Sequence, residues 1–147
     1  MAGKVSVVFP VGPGVEDAGL ALDDLLNQSW GDLEIMAVLN GCLAKVRDEF
    51  LGRRDARLIV IDLGEDPQLL SALEVGVNRS TGRWLARMDS DDRCEASRIE
   101  RQVEFLCSRE CEVVSCGIEL IGGLGDGMYR YVDWVNDLDS PEKVSQE

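Results

Sequence analysis

Short apolar runs alternate along this chain with amphipathic stretches of helical period, and no other feature constrains the fold as much. The runs are Val5-Ser6-Val7-Val8-Phe9-Pro10, Leu33–Leu39, Arg57–Leu63 and Arg83–Met88. They are too short for helices and rich in branched or bulky apolar residues, so they read as buried strands. Between them, Leu22, Leu25 and Leu26 share a helical face with Ser29, Leu43–Leu51 forms a second helix closed by Gly52, and Leu69, Leu70, Leu73 and Val77 form a third apolar stripe. Asp17 suits the first helix N-cap, and Asp66 with Pro67 suits the start of the third. Ser97-Arg98-Ile99-Glu100 reads as a capping box opening a fourth helix that carries Ile99, Val103, Leu106 and Cys107. Glu112–Leu120 reads as a fifth strand, Gly122–Gly127 as a turn, and residues 128–147 as an aromatic, then acidic stretch without strong periodicity. The order predicts an α/β fold: a mostly parallel, twisted, Rossmann-like sheet with helices on both faces. Residues 1–121 make up this α/β domain and residues 122–147 a glycine-rich turn and tail.

Ligands of such sheets bind outside the carboxyl ends of the strands. That directs attention to Pro10–Gly14, Leu39–Cys42, Asp62–Asp66 and Asp89–Asp92. The last loop, Asp89-Ser90-Asp91-Asp92, places three carboxylates in four residues. Like charges this close repel unless a cation or water screens them, and a hard divalent cation takes oxygen ligands from few residues. The same Asp cluster would also serve as a solvated turn capping the next helix, and both readings stand on the residues alone.

Composition narrows the chemistry. The chain has no histidine, which excludes a Ser-His-Asp triad, a Cys-His pair, an HExxH zinc helix and an imidazole base. Fifteen Lys and Arg against 28 Asp and Glu give a net charge of -13, which argues against a nucleic acid or an anionic membrane surface as partner. Five cysteines without a CxxC pair read as reduced thiols, not as disulfides or a zinc site. No apolar stretch has the length of a transmembrane segment, and Met1-Ala2-Gly3-Lys4 does not open a signal peptide, so the chain is expected in the cytoplasm. Trp30 and Trp84 read as packing residues, Trp134 as either a stacking surface or an edge cover, and Arg87 as an ion-pair partner of the acidic loop.

Ala86-Arg87-Met88-Asp89-Ser90-Asp91-Asp92, followed by Arg98–Leu106, resembles the central motif of family-2 glycosyltransferases. Val5–Pro10, Leu25–Ser29, Leu33–Ile35, Gly76–Gly82 and Trp134–Asn136 with Ser140–Glu142 match the family in the same order. The resemblance implies the GT-A fold and its nucleotide-sugar-binding half. It implies Asp91 as ligand of Mg²⁺ or Mn²⁺ through the donor diphosphate, Asp89 facing the ribose or sugar, Asn40 and Asp62 at the base, and Pro10, Val11 and Gly12 lining the pocket. The implied reaction transfers a sugar from a UDP-, GDP- or dTDP-linked donor to an acceptor hydroxyl with inversion, in bacterial cell-surface polysaccharide synthesis at or near the inner face of the membrane.

The chain departs from the family pattern at Gly12-Pro13, where Tyr-Asn is usual, at Leu39-Asn40-Gly41-Cys42, where Asp-Asp-Gly-Ser is usual, and at Glu74 and Ala96. It also stops at Glu147, ahead of the region that carries the family's catalytic base, so it is expected to transfer sugar poorly by itself. A different class of function competes: a non-catalytic GT-A-like module for binding or oligomerisation, in which an uncovered sheet edge favours a homo-oligomer. A phosphotransfer receiver is a weaker alternative, because only Lys143 follows the acidic loop and it sits in the tail.

Overall fold

The computed structural model describes residues 3–123 and 125–144; Met1, Ala2, Leu124 of the glycine-rich turn and the last three residues of the acidic tail lie outside the described residues. Four strands, β1 (Val5–Val11), β2 (Leu33–Leu39), β3 (Leu58–Asp62) and β4 (Trp84–Arg87), form one parallel sheet in the order β3-β2-β1-β4. Helices α1 (Ala18–Leu26), α2 (Ala44–Gly52) and α3 (Leu69–Arg79) connect successive strands. They are followed by α4 (Arg98–Arg109), α5 (Asp126–Asp137) and the single turn α6 (Pro141–Val144).

Successive side chains of a strand face opposite sides of the sheet. Val5, Val7, Phe9 and Val11 of β1 therefore share one face. There they join Leu22 and Leu25 of α1, Val46 and Phe50 of α2, and Ile99 and Val103 of α4 in one buried core. Trp30 and Trp84 pack against that core, as their reading as packing residues requires. Val8 faces the other way, onto α3. A methyl group added at Gly76 of α3 would come within 2.6 Å of Val8 Cγ1. Helices thus cover both faces, as the alternation of strands and helices predicts.

Several local expectations are corrected. Val11 ends strand β1 and does not belong to the following loop. Helix α3 starts at Leu69, so Pro67 precedes it, and Asp66 Oδ1 accepts from Gln68 N in the turn before. Its buried positions are Ala72 and Gly76, whereas Leu70 is 75% exposed. Small residues win that face because the helix lies so close to β1. Glu112–Leu120 is not a strand: the four-residue β4 pairs only with β1, and Asn136 of α5 instead holds Ile118, its Nδ2 donating to Ile118 O and its Oδ1 accepting from Ile118 N, both at 2.8 Å. The aromatic, then acidic stretch without strong periodicity contains α5, which buries Val132. Asp17 and Ser97 occupy N-cap positions without making the expected side-chain cap bonds.

The amino ends of the strands are locked by one buried carboxylate. Glu34 of β2 is 7% exposed and accepts hydrogen bonds from Ser6 Oγ (2.5 Å), Thr81 N (2.7 Å), Thr81 Oγ1 and Lys4 Nζ. Ser6 Oγ in turn accepts from Gly82 N, and a Cβ at residue 82 would meet Ser6 N at 2.7 Å, which is why glycine stands there. Burial alone would raise the Glu34 pKa, but the four donated hydrogen bonds overcome it and hold the carboxyl at about 2.

A depressed carboxylate stabilises the fold above its unfolded pKa and loses that contribution as pH falls through the folded one. We therefore expect stability to decline between about pH 5 and pH 2, with Glu34 contributing about 2–3 kcal/mol of the loss. Urea denaturation across that range checks it. Glu34→Gln should be less stable at pH 7 and show a shallower acid slope; an unchanged slope would remove Glu34 from this role.

Candidate functional site

The site begins where β1 and β4 part. The β1–β2 register runs from Val5–Leu33 to Val11–Leu39, but the β1–β4 register stops at Val8–Arg87. Even-numbered residues of β1 face β4, as the bond from Met88 N to Val8 O shows, so the next donor on that side would be residue 10. Residue 10 is proline and has no N–H to give. The strands separate there, at the point where the strand order reverses, and such crevices are the usual ligand sites of open α/β sheets.

An open cleft of about 260 Å³ occupies this split. Pro10, Gly12, Pro13 and Val15 line it from the end of β1, Asn40 from the end of β2, Pro67 and Leu69 from the entry to α3, and Arg87, Asp89, Ser90 and Asp91 from the end of β4. Five residues singled out from the sequence are thus brought together: Pro10, Gly12, Asn40, Asp89 and Asp91. Two are not. Val11 is fully buried in the core because odd-numbered β1 residues face α1 and α2. Asp62 ends β3, two strands from the split. Its Oδ2 pairs with Arg47 Nε at 2.7 Å, and its Oδ1 accepts from Gly64 N.

Sequence reasoning missed Pro67 and Leu69 as lining residues. The turn at Gly41 brings them in: Gly41 adopts φ 78°, its N–H donates to Gly64 O, and Pro67 lies 3.4 Å from where its Cβ would be. That close approach joins the loop after β3 to the end of β2. The glycine of Asn40-Gly41 was the legible signal for the turn, but not for what packs on it.

Asn40 is 2% exposed, and its Oδ1 has no hydrogen-bond partner among the described residues. A buried unpaired amide oxygen costs about 1–3 kcal/mol, and here it stands beside the cleft, with its side chain 3.6 Å from the Gly12 Cβ position. Asp89 is committed to Arg87, whose Nε and Nη2 both donate to its carboxylate at 3.0–3.2 Å, which bears out the ion-pair reading of Arg87. Asp91 accepts no hydrogen bond among the described residues and is exposed to the cleft. Burial, then the charges of Asp91 and Asp89, push the Asp92 carboxyl up, while Arg98 and Arg87 oppose the shift.

The loop is held from behind by Gln28, at the end of α1. Gln28 is 6% exposed; its Nε2 donates to Glu95 O (2.8 Å) and Asp24 O (3.1 Å), and its Oε1 accepts from Ile99 N (3.0 Å) in the first turn of α4. Gln28 thus supplies the cap that Ser97 does not. Glu100, the other half of the expected capping box, instead accepts from Ser29 Oγ at 2.7 Å. Asp24 holds the same stretch through Arg93 (2.6 Å) and Cys94 N, and those hydrogen bonds, led by Arg93, lower its pKa.

No group of three or more His, Cys, Asp or Glu side chains converges on one point among the described residues. With Asp89 held by Arg87, the residues fit a divalent cation for which Asp91 would be the protein ligand and water and ligand oxygens would fill the rest of the shell. That is how Mg²⁺ commonly binds beside phosphates. The cysteines among the described residues are all free thiols, and no helix among those residues is long and apolar enough to cross a membrane.

Comparison with known proteins agrees with this geometry. The family model described as Glycosyl transferase family 2 matches residues 14–143. The O-antigen biosynthesis glycosyltransferase WbnJ of Escherichia coli is 32% identical over 126 residues, which cover 83% of this chain and 49% of WbnJ. The putative teichuronic acid biosynthesis glycosyltransferase TuaG of Bacillus subtilis (strain 168) is 26% identical over 130 residues, covering 87% of this chain and 52% of TuaG. The chain thus spans about half the length of these curated relatives. The crystal structure of S. aureus TarS superposes with a TM-score of 0.69 at 18% identity, over 83% of this chain and 23% of that one. TarS 1–349 in complex with UDP-GlcNAc gives 0.60 at 17%, over 73% and 32%. At those identities the likeness is one of fold, the GT-A arrangement of a parallel sheet between helices.

Replacing Gln28 by Ala leaves the buried Ile99 N–H unpaired and frees the loop that follows the acidic turn. We expect a loss of about 2 kcal/mol in denaturant titration. Stability equal to wild type would show that Gln28 does not hold the loop.

Proposed function

This chain belongs to glycosyl transferase family 2, and from that premise we propose that the cleft binds the nucleotide-sugar donor of a metal-dependent transfer to an acceptor hydroxyl. One observation carries the reading: a 2%-exposed Asn40 with an unpaired Oδ1 shares a cleft with the unpaired carboxylate of Asp91. A ligand with polar edges at one end and anionic oxygens at the other would complete both. A nucleoside diphosphate has that shape, and the S. aureus protein that shares the fold was crystallised with UDP-GlcNAc.

In this reading Asn40 hydrogen-bonds the base edge, and the backbone of Pro10–Gly12 forms the floor beside it. Asp89 faces the ribose or the sugar. Asp91 holds Mg²⁺ or Mn²⁺ against the diphosphate. When bound, that cation would neutralise charge on the departing nucleoside diphosphate. Displacement by the acceptor hydroxyl would invert the anomeric centre. The Val11 side chain faces the core, so Val11 would contribute through its backbone alone, and Asp62 pairs with Arg47 outside the cleft lining. Residues 1–121 supply the donor side, and 122–147 lead toward the acceptor side. The donor is UDP-, GDP- or dTDP-linked. The names of the E. coli and B. subtilis relatives support a cell-surface polysaccharide as product, and the free thiols support a cytoplasmic setting.

A second reading, a non-catalytic module that binds or self-associates, is favoured by Leu85, which is 56% exposed on the edge strand β4.

Calorimetry with UDP, GDP, dTDP and CDP, with and without Mn²⁺, separates the two. We expect one nucleotide to bind only with Mn²⁺. Asp91→Ala should weaken it by about a hundredfold or more, beyond the loss typical of an outer-shell partner, and Asn40→Ala by about tenfold. No binding to any of the four, with a dimer in light scattering, would replace the donor-site reading by the second.

A further inference from the structure

We propose that Arg87 is a bridging cation of the cleft: one edge of its guanidinium orients Asp89 while Nη1 takes a phosphate oxygen of the donor. This rests on the donor-site reading and adds to it the residue that meets the diphosphate directly. Arginine presents five N–H donors in a fixed fork, enough to hold a carboxylate and a second anion together. In this chain Nε and Nη2 are the nitrogens bound to Asp89, and Nη1 makes no hydrogen bond among the described residues.

The other cations near the acidic turn are spent elsewhere. Arg98 donates through Nη1 to Met88 Sδ at 3.2 Å and through Nη2 to Arg87 O at 2.8 Å. Arg93 is drawn away to Asp24 through Nε and Nη2. Among the described residues that line the cleft, Arg87 is the single cationic side chain. The need for it follows from charge. Asp89, Asp91 and Asp92 would repel an incoming diphosphate, and one divalent cation on Asp91 offsets only part of that repulsion. The Arg87 side chain is 55% exposed and its pair with Asp89 is 41% exposed on the other side, so the pair itself adds little to stability. The Arg98 bond to the Arg87 carbonyl fixes the backbone from which this side chain reaches the cleft.

The test is a double-mutant cycle read by calorimetry at saturating Mn²⁺. It uses wild type, Arg87→Gln, Asp89→Asn and the double variant, and whichever of UDP, GDP, dTDP and CDP binds wild type best. Arg87→Gln should weaken the nucleoside diphosphate about tenfold or more, both with Asp89 present and in the Asp89→Asn background. Arg87→Lys, which keeps the charge without the fork, should lose less. Circular dichroism melts should leave all variants folded, since both side chains are exposed. The inference is overturned if Arg87→Gln costs nothing, or if its cost disappears once Asp89 is Asn, because Arg87 would then act only by holding Asp89. If wild type binds none of the four nucleotides, the donor-site reading itself fails, an outcome distinct from all of these.

Discussion

Strand β1 is bonded along both edges over Val5–Val8 but only towards β2 over Phe9–Val11. The change comes where Pro10 would otherwise offer an N–H to β4. The cleft depends on this asymmetry. With β4 ended at Arg87, the chain turns out of the sheet and presents Asp89 and Asp91 across the gap from Pro10 and Gly12. Because the sheet is parallel, the end of β2 opens on the same side and delivers Asn40. The reversal of strand order, the missing proline donor and the acidic turn meet at one place in the sheet.

The two ends of the strands treat polar groups in opposite ways. At the amino ends Glu34 is buried and fully satisfied by Ser6, Thr81 and Lys4, and the backbone of Gly82 closes the network. At the carboxyl ends Asn40 is as deeply buried, yet its Oδ1 is unpaired. A folded chain tolerates an unpaired buried acceptor at a cost, and such groups collect where a ligand completes them. Gln28 joins the two regimes: a satisfied side chain that holds the otherwise acidic, self-repelling loop in place.

The alternation of apolar runs with helical stripes made four strands and the first four helices legible, because the runs are short and apolar, with β1 and β2 buried along their whole length, and the stretches between them carry a helical period. The acidic loop was legible as well, since three carboxylates at a strand end have few explanations. The failures have physical causes. Glu112–Leu120 has strand composition, but composition does not supply an edge to pair with, and the side chain of Asn136 meets the backbone of Ile118 instead. In α5 the apolar positions Met128, Tyr131, Val132 and Val135 do follow a helical spacing, but interleaved acidic and aromatic residues obscured it, and only Val132 is buried. The cap of α4 is not legible from local spacing, because the acceptor that caps it, Gln28 Oε1, comes from 71 positions earlier in the chain. Asp62, expected at the base, lies outside the cleft lining. The sheet order puts β3 two strands from the split, and Arg47 has already claimed the carboxylate.

The central claim is that one cleft, at the split between β1 and β4, holds both the cation and the nucleotide. Paramagnetic relaxation in ¹⁵N-labelled protein tests it most directly, by adding a trace of Mn²⁺ in the presence of the nucleoside diphosphate that binds. The account predicts strong broadening at the amides of Gly12, Asn40 and Asp89–Asp92, with Glu34 and Thr81 at the opposite end of the sheet unaffected. Broadening centred on another acidic surface, such as the stretch from Asp133 to Glu142, with the amides of Gly12 and Asn40 still sharp, would contradict it.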